Sequence, residues 1–104
     1  MAVNRLEILK NMLAANPGDS FARYGLAMEY ANSGALETAV AEFQNLLAAN
    51  PKYVAAYYHG GQALEKLGRV EEARAIYSRG VEVSAEIGDA HTREELQAAL
   101  DILG

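Results

Sequence analysis

The two histidines mark the places where this sequence comes nearest to a catalytic or metal-binding pattern. His59 is followed by two glycines, and a histidine before paired glycines also occurs in the oxyanion holes of hydrolases. No G-x-S-x-G nucleophile elbow accompanies it. His91 has Glu94 and Glu95 within one helical turn, whereas a metal site needs three or four converging ligands. We therefore expect no catalytic residue and no metal site.

The composition excludes further kinds of chemistry. The chain of 104 residues has no cysteine, which excludes disulfides, thiolate metal ligands and cysteine nucleophiles. Nine Lys and Arg against fourteen Asp and Glu give a formal net charge of -5, which would repel a phosphate backbone. No apolar run approaches the length of a membrane span. We expect no cofactor, no nucleic-acid partner, no membrane partner and a cytoplasmic location.

Any functional residues must be positioned by helices. Gly and Pro divide the sequence into segments in which Ala, Leu, Glu and Tyr recur at helical spacing, and no alternating pattern predicts a strand. Asn4, Asp19 and Thr92 are the predicted N-terminal caps of three helices. Six helices are predicted, at residues 4–15, 19–32, 36–49, 53–67, 70–86 and 89–103.

The same residues recur at an offset of 34 positions along the chain. Identical pairs at this offset include Leu13 and Leu47, Pro17 and Pro51, Ala22 and Ala56, Tyr24 and Tyr58, Gly34 and Gly68, and Ala39 and Ala73. A unit of this kind is a pair of helices that cannot bury its apolar face alone and stacks on copies of itself. The predicted fold class is therefore all-α, an α-helical repeat.

On these residues the sequence resembles the tetratricopeptide repeat family. The family signature has Leu-Gly, then Tyr, followed by Ala, an aromatic residue and a late Pro. The matching residues are Leu26, Ala27, Tyr30, Gly34, Ala39, Phe43 and Pro51 in the first unit, and Tyr57, Gly61, Leu64, Gly68, Ala73 and Tyr77 in the second. The sequence departs from the signature at four positions. Arg23 stands where a bulky aromatic residue is usual and Gly60 where Leu is usual. Gly80 replaces the small Ala, and Ala85 replaces the Pro. The resemblance implies a right-handed superhelix of about six antiparallel helices with a concave groove.

The repeat divides a single domain, residues 1–104, into four parts. Residues 1–19 are predicted to form an N-terminal capping helix, and residues 88–104 a C-terminal capping helix. Repeat 1 then covers residues 20–53 and repeat 2 covers residues 54–87.

The family resemblance also implies where a ligand would bind, because the first helix of each unit lines the groove in this family. By register, the groove residues are Phe21, Tyr24, Met28, Asn32, Tyr58, Gln62 and Glu65, with His59 at the edge. Tyr24 and Tyr58 are one unit apart and would form a two-rung aromatic ladder. The alternative is that both tyrosines pack between helices. Some family members hold a peptide carboxylate with Lys, Arg and Asn, but the corresponding positions here are Tyr, Met and Gln, so no such clamp is expected.

Three classes of function are compatible with a chain of this size. The favoured prediction is a scaffold or adaptor that binds a protein or peptide in an aromatic-lined groove. The alternative is a self-assembling subunit, a homo-oligomer joined through its two single end helices. The third class, an enzyme, is not expected, because the sequence supplies no converging nucleophile, base or metal set.

Overall fold

The computed structural model describes residues 4–104, and in this part of the chain all regular secondary structure is helical. The helices are α1 (Arg5–Ala15), α2 (Ser20–Asn32), α3 (Leu36–Ala49), α4 (Ala55–Lys66), α5 (Val70–Ile87) and α6 (Ala90–Leu103). The predicted all-α class is confirmed. The first and last residues of each predicted helix lie within two residues of those observed. Residues 1–3 of the predicted N-terminal part lie outside the described residues.

Side-chain caps fix the beginnings of α1 and α2. The Oδ1 atom of Asn4 accepts from the amide of Leu6 at 2.8 Å, and Oδ1 of Asp19 accepts from the amide of Ala22 at 3.0 Å. These side-chain oxygens satisfy donors that have no partner inside the helix. The predictions for Asn4 and Asp19 are therefore confirmed.

The predicted cap at Thr92 is wrong, because Asp89 begins α6 instead. Oδ1 of Asp89 accepts from the amide of Thr92 at 3.0 Å, and its Oδ2 accepts from the Thr92 hydroxyl at 2.7 Å. Thr92 thus lies inside the first turn as a double donor. These two hydrogen bonds stabilise the charged carboxylate and lower the pKa of Asp89.

The helices form two layers. Each helix packs on the next along the chain, and in addition α2 contacts α4 and α4 contacts α6. Helices α2, α4 and α6 therefore lie side by side, and we call their outer surface the α2–α4–α6 face. Helices α1, α3 and α5 form the second layer. Left-handed glycines at Gly34 and Gly68, with φ of 86° and 77°, end α2 and α4 and turn the chain back into the second layer.

Small residues allow these layers to approach closely. The core contains buried alanines from several helices, among them Ala27, Ala39 and Ala73, packed with the fully buried rings of Phe43 and Tyr77. Glycines allow a still closer approach. An ideal Cβ at Gly80 on α5 would lie 2.6 Å from Cβ of Tyr57 and 2.8 Å from Cδ1 of Leu96. Gly80 therefore sets the spacing of α5 from both α4 and α6.

We predict that Gly80→Ala destabilises the fold. Overpacking costs roughly 1–3 kcal/mol and is offset in part by a gain in helix propensity of up to about 1 kcal/mol, so the expected net loss is up to about 2 kcal/mol in urea unfolding. Gly18→Ala is the matched control, because its new Cβ would meet only Oδ1 of Asn16, at 3.6 Å. A Gly80→Ala protein as stable as the wild type would contradict the close approach.

A second prediction concerns the cap of α6. Asp89→Ala should lower the urea midpoint at neutral pH, because two donors of Thr92 lose their acceptor. Since the folded-state pKa of Asp89 is lowered, its contribution is present above the ordinary carboxyl pKa and is lost as the pH falls through the lowered one. The difference between the two proteins should therefore shrink as the pH falls below the ordinary pKa of a carboxyl group. A difference that persists unchanged in acid would contradict this role.

Candidate functional site

All eight residues of the predicted groove lie on two adjacent helices of the α2–α4–α6 face. Phe21, Tyr24, Met28 and Asn32 belong to α2, and Tyr58, His59, Gln62 and Glu65 belong to α4. Phe21 and Asn32 are exposed, and the other six side chains are partly buried. Phe21 retains 68% of its surface in contact with solvent, which is unusual for a large aromatic side chain.

An aromatic row crosses this face. We use this name for Tyr53, Tyr24, His59 and Tyr58, whose rings are neighbours in that order. The centroid distances are 5.2 Å from Tyr53 to Tyr24, 5.9 Å from Tyr24 to His59 and 5.3 Å from His59 to Tyr58, with tilted or edge-to-face geometry. Such geometry is favourable for aromatic pairs. The two predicted rungs are thus connected through His59.

The two predicted rungs, Tyr24 and Tyr58, both pack against the buried core. Tyr24 packs against the buried side chains around Phe43, and its ring makes an edge contact with that of Phe43 at a centroid distance of 6.3 Å. Tyr58 packs against the buried side chains around Tyr77, and the centroids of these two rings are 6.4 Å apart. Both nevertheless remain partly exposed. Burial, followed by the neighbouring Tyr53, raises the pKa of Tyr24, so its hydroxyl is un-ionised at neutral pH.

His59 is held as an uncharged ring in the row. Burial lowers the pKa of His59, and the charge of Glu95 on α6 opposes this shift without cancelling it. Glu95 belongs to α6, which packs beside α4. Oε1 of Glu95 also lies 3.4 Å from Nε2 of His91, one turn earlier on α6. The sequence alone indicates that Glu95 belongs to an exposed charged surface, and the packing of α6 beside α4 brings it to the edge of the site.

A polar cluster adjoins the row, formed by Tyr77, Glu65 and Gln62. The hydroxyl of Tyr77 donates to Oε2 of Glu65. Nε2 of Gln62 donates to the Tyr77 oxygen at 2.8 Å and approaches Oε2 of Glu65 at 3.5 Å. Burial, followed by the neighbouring Glu65 carboxylate, raises the pKa of Tyr77, which therefore remains a donor at any physiological pH.

Gly61 explains how a core residue takes part in this cluster. Tyr77 belongs to α5 and is fully buried, but its hydroxyl reaches the side chains of α4. An ideal Cβ at Gly61 would lie only 2.1 Å from Cε1 of the Tyr77 ring. The ring thus occupies the space that a side chain at Gly61 would need. From the helical pattern, Tyr77 is predicted to be a core residue only. The sequence signal for its part in the site is its hydroxyl, because Phe43, the equivalent residue 34 positions earlier, has none.

The carboxylates of this site lack permanently charged partners. The ion pairs of arginine in the described part of the chain involve Glu29, Glu37, Glu42, Glu71, Glu72 and Glu82. Within residues 4–104, no Lys or Arg forms an ion pair with Glu65 or Glu95. Lys66 is next to Glu65 in sequence, but it does not pair with that carboxylate. The site is therefore locally acidic as well as aromatic.

The glycines after His59 have a packing role. A Cβ at Gly60 would lie 3.1 Å from Cδ1 of Ile76 and 3.3 Å from Cβ of Phe43. Both glycines lie inside α4, where their amides belong to the helix rather than to an oxyanion hole. Among the described residues, no group of three His, Asp or Glu has the arrangement of a metal site. No described helix is long and apolar enough to span a membrane.

A separate cleft lies on the other side of α4. It has a volume of about 570 Å³ and lies between α3 and α5, with Tyr57 and Leu64 of α4 among its lining residues. None of the eight predicted groove residues lines it. The volume falls in the range of small-molecule pockets. Both charged side chains at its rim are already paired, Glu72 with Arg69 and Arg79 with Glu82.

Comparison with solved structures gives close matches. The crystal structure of a tetratricopeptide repeat domain protein from Salinibacter ruber is 38% identical, with a TM-score of 0.77. The match covers 82% of this chain and 94% of that chain. The solution structure of a Bordetella parapertussis protein is 27% identical, with a TM-score of 0.83, and the match covers 99% of this chain and 89% of that one.

Sequence comparisons agree with the structural ones. An uncharacterized protein from Methanocaldococcus jannaschii is 38% identical over 60 residues, which are 58% of this chain and 70% of that protein. The family model described as tetratricopeptide repeat matches residues 30–100, more than half of the chain. The helical pairs, their stacking and these matches together show that the chain belongs to the tetratricopeptide repeat family.

Proposed function

We propose that the chain is a docking module that binds a segment of a partner protein on the α2–α4–α6 face. The observation that carries this proposal is the aromatic row, whose tyrosine rings pack against the core and remain partly exposed to solvent. Tyrosines held in this way offer a large contact area at little further cost in side-chain entropy. The eight residues predicted from the sequence, Phe21, Tyr24, Met28, Asn32, Tyr58, His59, Gln62 and Glu65, are the proposed contacts.

We take two exposed apolar side chains to extend the proposed surface at its ends. Phe21 lies in the first turn of α2, and Ile102, in the last turn of α6, is 83% exposed. Ile102 follows Glu95 and His91 at helical spacings of seven and eleven residues, which places the three on one side of α6. Large exposed apolar side chains beside partly buried aromatic rings are typical of protein-binding surfaces. A helix or an extended segment of the partner would fit such a surface.

The remaining parts of the proposal concern the wider role of the chain. We take it to act as a non-catalytic scaffold or adaptor in the cytoplasm, without a cofactor. The division into two repeats, residues 20–53 and 54–87, between single capping helices at 1–19 and 88–104 also stays a prediction. Similar helical stacks bind unrelated ligands, so the binding surface rather than the fold supports the proposal.

Self-assembly is the second candidate function, and the end helices supply its observation. Ile8 and Met12 are exposed one turn apart on α1, and Ile102 is exposed on α6. A contact between α1 of one copy and α6 of the next would be heterologous and would form rings or filaments. Sedimentation velocity over a wide concentration range tests this candidate. A species that stays monomeric at all concentrations would rule it out.

The docking proposal predicts that the exposed apolar ends of the face are needed for binding. The variant Phe21→Ser/Ile102→Ser should lose a partner captured from a lysate of the source cell by at least about tenfold, because truncated interface anchors cost roughly 1–2 kcal/mol or more. The matched control is Val70→Ser/Ile87→Ser, which removes side chains of α5 that are 39% and 42% exposed.

The comparison is made at equal folding, checked by circular dichroism and urea unfolding. A second variant, Tyr24→Ala/Tyr58→Ala, tests the aromatic row itself. Partners retained equally by the wild type and both face variants would contradict docking on the α2–α4–α6 face. Partners lost only by the α5 control would move the docking surface to the second layer.

A further inference from the structure

The carboxylate of Glu65 is oriented by its own neighbours. Oε2 receives the Tyr77 hydroxyl and lies within reach of Nε2 of Gln62. Within residues 4–104, no donor hydrogen-bonds to Oε1 of Glu65. The side chain is partly buried, so its rotation is restricted while one oxygen remains available. A carboxylate held by one oxygen and open at the other is prepared to accept a hydrogen bond from outside the chain.

The surroundings of Glu65 favour a positively charged donor. The Tyr58 ring stands beside the cluster, 6.4 Å from the ring of Tyr77. A second carboxylate, Glu95, lies on the neighbouring helix α6, which packs against α4. A carboxylate next to an aromatic face attracts a cation through charge-assisted hydrogen bonding and through the ring quadrupole. The same charges repel an acidic or phosphorylated segment.

We propose that Glu65 is the acceptor for a Lys or Arg side chain of the docked segment, with the Tyr58 ring as the wall of this subsite. This inference rests on the proposed docking function and names the chemistry of its partner. The partner is thus a segment that combines apolar side chains, for the row and Phe21, with one cationic side chain. Gln62 and Tyr77 are positioning residues, because they act through the orientation of Glu65.

The first experiment selects ligands from random sequences, so that the natural partner need not be identified. A phage-displayed library of random 12-residue peptides is selected on the immobilised full chain, and in parallel on the variant Glu65→Gln. The expected result is enrichment of Lys or Arg at one fixed distance from apolar residues on the wild type, with this enrichment lost on E65Q. Selected peptides that show no preference for Lys or Arg would overturn the cation subsite.

The second experiment measures the pairing directly. One selected peptide is synthesised with its Lys and with norleucine in place of that Lys, and both affinities are measured by fluorescence anisotropy. The wild type should bind the Lys peptide at least about tenfold more tightly, since a hydrogen bond to a charged group is stronger than one between neutral groups. E65Q should bind the two peptides about equally, because Gln keeps the shape of the side chain but removes its charge.

Two further variants test whether the location and the orientation of the Glu65 carboxylate matter in addition to its charge. The control Glu94→Gln removes an exposed carboxylate of α6 and should leave the preference for Lys unchanged. Tyr77→Phe keeps the buried ring but removes the donor to Glu65, and it should reduce the preference for Lys while binding of the norleucine peptide is retained. Equal losses for both peptides in Tyr77→Phe would show a purely structural role and overturn the positioning role.

The outcomes distinguish this inference from the proposed function. If Phe21→Ser/Ile102→Ser abolishes peptide binding but Glu65→Gln leaves the preference for Lys intact, docking stands and the cation subsite is overturned. If neither variant affects the selected peptides, they bind outside the α2–α4–α6 face and the proposed function fails as well. Loss of the Lys preference in E65Q alone, together with loss of all binding in the apolar variant, supports both.

Discussion

The distance between neighbouring helices is set by glycines into which large side chains pack, and most other features of the molecule depend on these contacts. Tyr77 of α5 occupies the space beside Gly61 of α4, and Tyr57 of α4 occupies the space beside Gly80 of α5. Each helix of this pair thus contributes one ring and one gap. Because interiors are packed at nearly crystalline density, an added methyl carbon at either gap would have to move a ring or a whole helix.

The same contact that holds α4 and α5 together also builds part of the candidate site. With its ring beside Gly61, Tyr77 reaches past the α4 backbone and places its hydroxyl against Glu65 and Gln62. The first helical pair has Ala27 and Phe43 at the corresponding positions, so it packs similarly but offers no hydroxyl. The two helical pairs therefore differ in polarity at this position, and the second pair places a hydroxyl against a carboxylate of α4.

The sequence predicted the helices and their stacking because these follow from local spacing and from a recurring unit. The helix ends agree within two residues, and the caps at Asn4 and Asp19 were correct, since both depend on neighbours in the chain. The omission of Glu95 arose because residues far apart in sequence meet, whereas the error at Thr92 was local. The charge of Glu95 affects the pKa of His59 only because α6 packs beside α4. At Thr92 the local signal was ambiguous, and Asp89, a better acceptor three residues earlier, caps the helix.

The distribution of charge follows from the same layered packing. Arginine side chains link α1 to α2 through Arg5 and Glu29, and α2 to α3 through Arg23 and Glu42, so these cations are used between neighbouring helices. Other arginines pair along α5. Glu65 lies instead at the aromatic row, with a tyrosine hydroxyl as its partner. A neutral donor orients this carboxylate and leaves its charge in place. An arginine at the same place would orient the carboxylate and also neutralise its charge. The choice of tyrosine over arginine therefore leaves the α2–α4–α6 face with an electrostatic preference that the aromatic residues alone would not provide.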